Sequence, residues 1–91
     1  MKFYYVYVLK SVYKGFIYVG FSENLKQRFK EHNSGKSKST KPYLLYELIH
    51  YEAYKNIMDA KRRENYLKTN RGRITLMTML KDCFTINPLI K

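Results

Sequence analysis

The run from Phe3 to Leu9, FYYVYVL, constrains the fold more than any other segment of this chain. All of its residues except Leu9 are β-branched or aromatic, which is typical of a β-strand. Side chains alternate between the two faces of a strand, and here both faces are apolar or aromatic: Phe3, Tyr5, Tyr7 and Leu9 on one, Tyr4, Val6 and Val8 on the other. We therefore predict a central strand that is covered on both sides.

The rest of the chain predicts two more strands and three helices. The strands are expected over 16–20 and 44–54, and the helices over 25–33, 56–68 and 74–84. Asn24 and Asn56 are predicted N-caps. Gly35 is a predicted C-terminal cap, and Gly72 a predicted break before the last helix. The fold class is therefore α+β: a small three-stranded antiparallel sheet flanked by helices, in the order β-β-α-β-α-α.

Two of these segments also predict which side chains face the core. Unbroken alternation along the third strand places Glu47 and Glu52 on opposite faces of the sheet. The spacing of apolar residues in the last helix predicts a packing stripe, which consists of Ile74, Met77, Leu80, Cys83 and Phe84. This helix is expected to cover the sheet, because a domain of this size needs the buried area.

The chain carries a large excess of positive charge, with 18 Lys and Arg against 7 Asp and Glu and a net charge of +11. Such an excess on a small domain favours a polyanionic partner, because neutralised phosphates release their condensed counterions. A basic surface that only keeps the protein in solution is the alternative. A membrane partner is not expected, since no segment shows a basic amphipathic pattern.

Length indicates how many domains the chain forms, and cysteine content indicates the cellular compartment in which the protein is expected. The 91 residues predict one domain over 1–84 with a short tail over 85–91, as a monomer or a weak dimer. No apolar run is long enough to span a bilayer, and the N-terminal residues do not resemble a secretory signal. Cys83 is the single cysteine and cannot form an internal disulfide, so a cytoplasmic location is expected.

Glu64 does not match the apolar character of its neighbours in the predicted second helix. It follows Ile57 by two helical turns, on the same stripe as Ala60 and Leu67. A carboxylate in such a position is costly unless it is paired or bound to a cation. An ion pair with Lys61 or Lys68, each within one turn, is one interpretation. The other is a ligand for a hard cation such as Mg²⁺.

Several short motifs occur in a fixed order along the chain. Tyr5-Val6-Tyr7 precedes Tyr18-Val19-Gly20, and Arg28, His32-Asn33 and Arg62-Arg63-Glu64 follow. This ordered set resembles the GIY-YIG endonuclease domain, in particular its short, single-domain bacterial branch. The resemblance covers about residues 2–69. It departs from the family pattern at Tyr5, which replaces a glycine, and at Phe21, where the excision-repair members carry a basic residue.

The resemblance implies roles for the matching positions. Tyr18 would act as the general base or orient the attacking water, and Tyr7 would hydrogen-bond the water or the phosphate. Arg28 would stabilise negative charge on the phosphate, and Glu64 would hold a single divalent cation, Mg²⁺ or Mn²⁺. His32 would be a second proton carrier or a phosphate contact; capping the end of the helix is its alternative role.

The function implied is a metal-dependent endonuclease that hydrolyses DNA phosphodiester bonds and selects its target by DNA structure or through a protein partner. DNA repair or recombination would be its setting. Backbone-binding candidates are Lys26, Lys36, Lys38, Lys41, Arg62, Arg63 and Lys68. The alternative is a non-catalytic nucleic-acid-binding module with the same fold. An RNA-directed role also stays open, because tyrosines stack well on unpaired bases.

Overall fold

The aromatic run forms the central strand of a three-stranded sheet. In the computed structural model, which describes residues 2–84, β1 (Tyr4–Ser11) pairs antiparallel with both β2 (Ile17–Ser22) and β3 (Tyr46–Tyr54), in the order β2-β1-β3. The predicted tail over 85–91 lies outside the described residues. The predicted central position of the first strand and the α+β class are both confirmed.

Within residues 2–84 four α-helices accompany the sheet: α1 (Leu25–Asn33), α2 (Ile57–Leu67), α3 (Asn70–Met79) and the short α4 (Lys81–Phe84). A 3-10 helix (Lys41–Tyr43) precedes β3. The side chains of Asn24 and Asn56 accept hydrogen bonds from the amides of Gln27 and Met58, so both predicted N-caps are confirmed. Gly35, with φ of +80°, follows the end of α1 as predicted. No helix within residues 2–84 has both the length and the apolar character needed to cross a membrane.

Each face of β1 contributes to a separate hydrophobic cluster. On one face Val6 and Val8 pack against Ala60 and Leu67 of α2 and Leu76 of α3. The other face carries a second cluster, which contains Tyr7, Leu9 and Tyr46 with Tyr18, Leu25, Phe29 and Leu48 around them. Because both faces of β1 are buried, the strand fixes the relative positions of α1 and α2.

A β-bulge changes the facing of β3. Val8 pairs with His50 and Leu9 with Leu48, so Ile49 is an extra residue on β3. Glu47 lies opposite Lys10 and Glu52 opposite Val6, which places both carboxylates on the face of β1 that packs against α2. The prediction that they lie on opposite faces is wrong, because one extra residue reverses the alternation beyond it.

The predicted break at Gly72 is also wrong. Gly72 lies buried inside α3, which starts at Asn70 with the side chain of Thr69 as its N-cap. A Cβ atom at Gly72 would collide with the carbonyl oxygen of Tyr66 and the Cα of Leu67. Glycine at this position lets the first turn of α3 lie directly against the end of α2.

This close contact decides which face of α3 is buried. Gly72 and Leu76 face inward and Leu80 packs beside them, whereas Ile74 and Met77 are 67% and 55% exposed. The predicted stripe through Ile74 and Met77 is therefore wrong. The helix begins four residues earlier than predicted and ends at Met79, so Cys83 and Phe84 belong to the separate α4.

We expect Gly72→Ala to destabilise the fold by about 2 kcal/mol, because the added methyl group meets backbone atoms that cannot rotate away. Urea unfolding of the two proteins measures the difference. Gly15→Ala is the matched control, since no heavy atom lies within 4 Å of a Cβ placed there. A Gly72→Ala protein as stable as the Gly15→Ala protein would show that α2 and α3 can separate at no cost.

Candidate active site

Tyr7 and Tyr18 lie side by side on the same face of the sheet. Tyr7 pairs with Gly20 and Tyr18 with Leu9, so the two phenols are diagonal neighbours with ring centroids 6.3 Å apart. A Cβ atom on Gly20 would collide with the ring and hydroxyl of Tyr7 and would lie 2.8 Å from Cε2 of Tyr18. The glycine of the second motif therefore provides the space into which the Tyr7 side chain extends.

Tyr7 is held by a chain of buried hydrogen bonds. Its hydroxyl lies 2.8 Å from Nε2 of His32, and Nδ1 of His32 lies 2.7 Å from Oγ1 of Thr40. Tyr7, His32 and Thr40 are all fully buried. Since both ring nitrogens of His32 have protein partners, the structure leaves neither for a phosphate, and backbone bonds from Ser34 and Gly35 close the helix end instead. His32 is thus placed to position Tyr7.

Burial keeps the hydrogen-bonded side chains of Tyr7 and His32 uncharged. Burial and the neighbouring Tyr18 raise the pKa of Tyr7 to about 12, although the Arg28 guanidinium opposes the change. Burial, and then the charge of Arg28, lower the pKa of His32 to about 4. At neutral pH a phenol therefore meets a neutral imidazole, which has one donor and one acceptor nitrogen.

The direction of these hydrogen bonds is set by the contact that Thr40 makes with Ser37. The Thr40 hydroxyl lies 3.5 Å from the carbonyl oxygen of Ser37, which can only accept a hydrogen bond. If Thr40 donates there, Nδ1 of His32 donates to Thr40 and the Tyr7 hydroxyl donates to Nε2. Thr40 was not a predicted site residue. The sequence gives no signal for it, because it lies in a polar segment that reads as an ordinary loop.

Tyr18 differs from Tyr7 in that its hydroxyl is available. The ring lies 4.9 Å from that of His32, but the Tyr18 hydroxyl has no hydrogen-bond partner among residues 2–84. The residue is only half-buried. Of the two motif tyrosines, Tyr18 is therefore the one that a water molecule or a substrate can reach.

Arg28 lies on α1, one turn before His32, with its side chain 35% exposed. Its Nη1 donates to Oε1 of Glu31 over 3.0 Å, and Gln27 donates to the other carboxylate oxygen over 3.2 Å. The charge of Arg28 lowers the pKa values of both Tyr7 and His32. Its helix packs through Leu25 and Phe29 against the sheet face that carries Tyr7 and Tyr18. Glu31, which orients the guanidinium, was not among the predicted site residues, although its i,i+3 spacing from Arg28 is a recognisable signal.

Glu64 faces inward from α2 and is 9% exposed. Nζ of Lys68 lies 2.8 Å from one carboxylate oxygen, and Nζ of Lys61 lies 3.8 Å from the other. The charge of Glu64 also raises the pKa of Tyr7, as the smallest of the contributions to that pKa. The ion pair that the sequence left as one alternative is therefore present, and it occupies the predicted metal ligand.

The donor set around Glu64 limits what it could bind. Within residues 2–84 there is no group of three or more His, Cys, Asp or Glu side chains that could hold a metal ion. A single carboxylate such as that of Glu64 is compatible with a hard cation such as Mg²⁺. This ion is commonly bound through one or two carboxylates, while water and substrate phosphate supply the other ligands. Phe21, next to this site, is uncharged, but Nζ of Lys61 lies 4.0 Å from its ring centroid. Lys61 thus supplies positive charge close to this position.

The predicted backbone-binding residues fall into two groups. Lys26, Lys36, Lys38 and Lys41 are exposed on α1 and the segment after it, while Arg62 and Lys68 are exposed on and just beyond α2. Arg62 is paired with Asp59 over 2.9 Å. These six remain candidates for contact with phosphates.

Arg63 has a different environment. Its guanidinium donates two hydrogen bonds to Glu52, over 3.0 and 3.2 Å. Burial opposes ionisation of Glu52, but hydrogen bonds from Arg63, His50 and Tyr54 outweigh it and lower the Glu52 pKa to about 2. The structure therefore makes Arg63 the partner of an internal carboxylate and gives no support to its predicted contact with a phosphate.

Comparison with known proteins identifies the family to which the sequence is similar. Residues 3–78 match the family model of the GIY-YIG catalytic domain, which extends the predicted core of about 2–69 into α3. A UPF0213 protein of Clostridium perfringens is 37% identical over 65 residues, covering 70% of this chain and 69% of the relative. A UPF0213 protein of Streptococcus agalactiae is 32% identical over 81 residues, covering 86% of this chain and 91% of the relative.

A solved structure also has this fold. The solution NMR structure of a UPF0213 protein from Bacillus halodurans aligns with a TM-score of 0.53 and 29% sequence identity. The alignment covers 87% of this chain and 85% of that protein. The strand and helix order is thus found in an experimentally determined relative.

The buried imidazole predicts how stability depends on pH. His32 has a pKa of about 4 in the folded protein and 6.5 as its ordinary value, so between these limits the unfolded chain binds the proton more readily. The contribution of His32 to the free energy of unfolding should be fully present above pH 6.5 and should decrease as the pH is lowered towards 4. The loss should be on the order of 3 kcal/mol.

Urea unfolding across this pH range measures the effect, with His32→Gln as the comparison. In that variant the dependence on pH should be much weaker, because the group that takes up the proton on unfolding is absent. An equally steep dependence in His32→Gln would assign the proton uptake to another residue.

Proposed function

The chain belongs to the GIY-YIG family, and on that basis we propose that it is an endonuclease that hydrolyses phosphodiester bonds, with DNA as its substrate. The observation that carries this proposal is the available Tyr18 hydroxyl, on the face of the sheet against which α1, the helix of Arg28, packs. A phosphodiester needs both a group that directs water and a charge that stabilises the developing anion. These two side chains can supply both.

Each residue of the cluster then has a separate task. Tyr18 orients the attacking water or, as the phenolate, accepts a proton from it and becomes the neutral phenol. Arg28 binds the phosphate oxygens through its planar guanidinium. Tyr7 is fully buried and hydrogen-bonded to His32. It therefore packs beside Tyr18, and its hydroxyl does not contact the phosphate in this conformation. His32 and Thr40 keep Tyr7 in place.

Glu64 is the residue that would hold a divalent cation, Mg²⁺ or Mn²⁺. When bound, such an ion supplies Lewis-acid polarisation of the phosphate and stabilises the leaving oxygen. The ammonium of Lys68 now occupies the carboxylate at 2.8 Å. Release of Glu64 would leave Lys68 free to contact a phosphate of the substrate.

Target choice follows from the kind of contact available. The exposed lysines of α1 and the segment after it can bind phosphates, and such contacts carry no sequence information. We therefore expect selection by DNA structure, as for repair or recombination intermediates, or through a protein partner. A cytoplasmic location and a monomeric or weakly dimeric state belong to the same proposal.

The Glu64–Lys68 ion pair favours a second candidate function, a nucleic-acid-binding module without catalysis. If the ion pair is permanent, the cluster lacks a free carboxylate and the basic surface alone would act. The two functions differ in whether any bond is cut, and cleavage assays on site variants can distinguish them.

We expect Tyr18→Phe and Glu64→Gln each to lower the rate of cleavage of branched, flapped or nicked DNA by about 10²- to 10⁴-fold, with DNA binding retained. Gel-resolved cleavage with Mg²⁺ or Mn²⁺ and a parallel binding titration measure the two effects. Tyr13→Phe, at a tyrosine that is 75% exposed, is the matched control. Binding by the wild-type chain without cleavage in any metal would leave the non-catalytic module as the function.

Removal of the competing ammonium should strengthen metal binding. We expect Lys68→Met to bind Mn²⁺ about fivefold more tightly than the wild-type chain in the absence of nucleic acid. Titration calorimetry gives this affinity directly and does not depend on cleavage. Lys55→Met, at an exposed lysine outside this cluster, should leave the affinity unchanged. An unchanged affinity in Lys68→Met would mean that the carboxylate is not the ligand.

A further inference from the structure

A groove of about 490 Å³ lies between α1 and the β1–β3 pair, on the face of the sheet that carries Tyr7 and Tyr18. Its walls are largely aromatic and aliphatic, and include Tyr5, Leu25, Phe29, Leu48 and Tyr51. Tyr51 is the direct cross-strand partner of Tyr7, and Phe29 follows Arg28 on α1. The groove is therefore continuous with the elements that carry the candidate active site, although none of its walls has a task in the proposed reaction.

The two tyrosines leave ring faces open to the groove. Tyr51 is 54% exposed, and its ring centroid lies 6.1 Å from that of Tyr5 with an angle of 58° between the planes. The two rings are tilted relative to each other, so neither ring covers the face of the other. An exposed aromatic surface beside aliphatic side chains suits a flat, apolar-faced ligand with a polar edge.

Charge narrows the choice of ligand. Lys26 lies at the rim and is exposed, and no ion pair involving it occurs among residues 2–84. Glu23, the acidic residue at the groove, is paired with Lys2. The available charge is therefore positive, which matches a flat ligand that is joined to a phosphate. A nucleotide has this chemistry.

We propose that the groove binds an unpaired nucleobase of the substrate strand, stacked on Tyr51 and Tyr5, while an adjacent phosphate contacts Lys26. Bases within a duplex are stacked on their neighbours and cannot offer a free face, so the ligand must be single-stranded, frayed or displaced. This inference rests on the proposed function, since it defines the substrate class of the same site. It predicts a nuclease that acts where a strand has unpaired bases.

The test is binding of a short labelled oligonucleotide in metal-free buffer, where no strand is cut. Tyr51→Ala should weaken the affinity for single strands about tenfold and leave the affinity for a duplex of the same sequence unchanged. Tyr51→Phe, which keeps the ring, should bind like the wild-type chain. Tyr13→Ala removes an exposed tyrosine of the β1–β2 connection and is the matched control. DNA and RNA strands are compared at the same salt concentration.

An abasic series identifies the base itself. Replacing one nucleotide at a time by an abasic site should weaken wild-type binding at one position, and that loss should disappear in Tyr51→Ala. Equal losses for single strands and duplex in Tyr51→Ala, or no abasic position with an effect, would overturn the inference. Circular dichroism of each variant establishes that the fold is intact.

Cleavage with Mg²⁺ or Mn²⁺ separates this inference from the proposed function. A wild-type chain that cuts no substrate but shows the Tyr51-dependent preference for unpaired bases would contradict the proposed nuclease function and support base binding in the groove. A chain that cuts nucleic acid in a Tyr18-dependent manner, with Tyr51→Ala binding single strands as the wild type does, would remove the groove and retain the nuclease.

Discussion

The buried bond between Tyr7 and His32 is the interaction on which the rest of the cluster depends. It joins the centre of β1 to the last turn of α1, and His32 extends the connection to Thr40 in the segment that follows. Tyr46 adds β3, because its hydroxyl donates to the carbonyl of Thr40 and its backbone bonds the side chain of Asn33. The helix that carries Arg28 is thus fixed to two strands by polar contacts that are shielded from water.

This arrangement also attaches the lysine- and serine-rich segment after α1 to the hydrogen-bonded residues Tyr7 and His32. The segment from Gly35 to Pro42 contains no large apolar side chain that could anchor it. Thr40 is nevertheless fully buried, because its hydroxyl completes the hydrogen bonding of His32. A buried imidazole nitrogen without a partner is costly, so His32 requires such a residue and the segment provides it. The exposed lysines on either side of Thr40 are held near the site as a consequence.

The sequence predicted the elements that rest on local patterns and failed where the outcome depends on a distant contact. β1, the helix caps and the facing of Tyr7 and Tyr18 follow from alternation and capping chemistry within a few residues, and the structure has them. The bulge at Ile49, the packed Gly72 and the pairing of Arg63 with Glu52 each require a partner from another element. The placement of Glu64 was predicted from its apolar stripe, but which of its two partners holds it could not be read from spacing alone.

The two motif tyrosines show why residue identity does not assign a role. Both are phenols on the same face of neighbouring strands, and the motif spacing treats them alike. Burial separates them: Tyr7 is enclosed, bonded to a neutral imidazole and given a pKa of about 12, so it stays protonated. Tyr18 keeps a hydroxyl without a partner among residues 2–84. Under the proposed function, the fixed phenol of Tyr7 has a positioning role and the available phenol of Tyr18 contacts the substrate, and this division follows from the surroundings of each tyrosine.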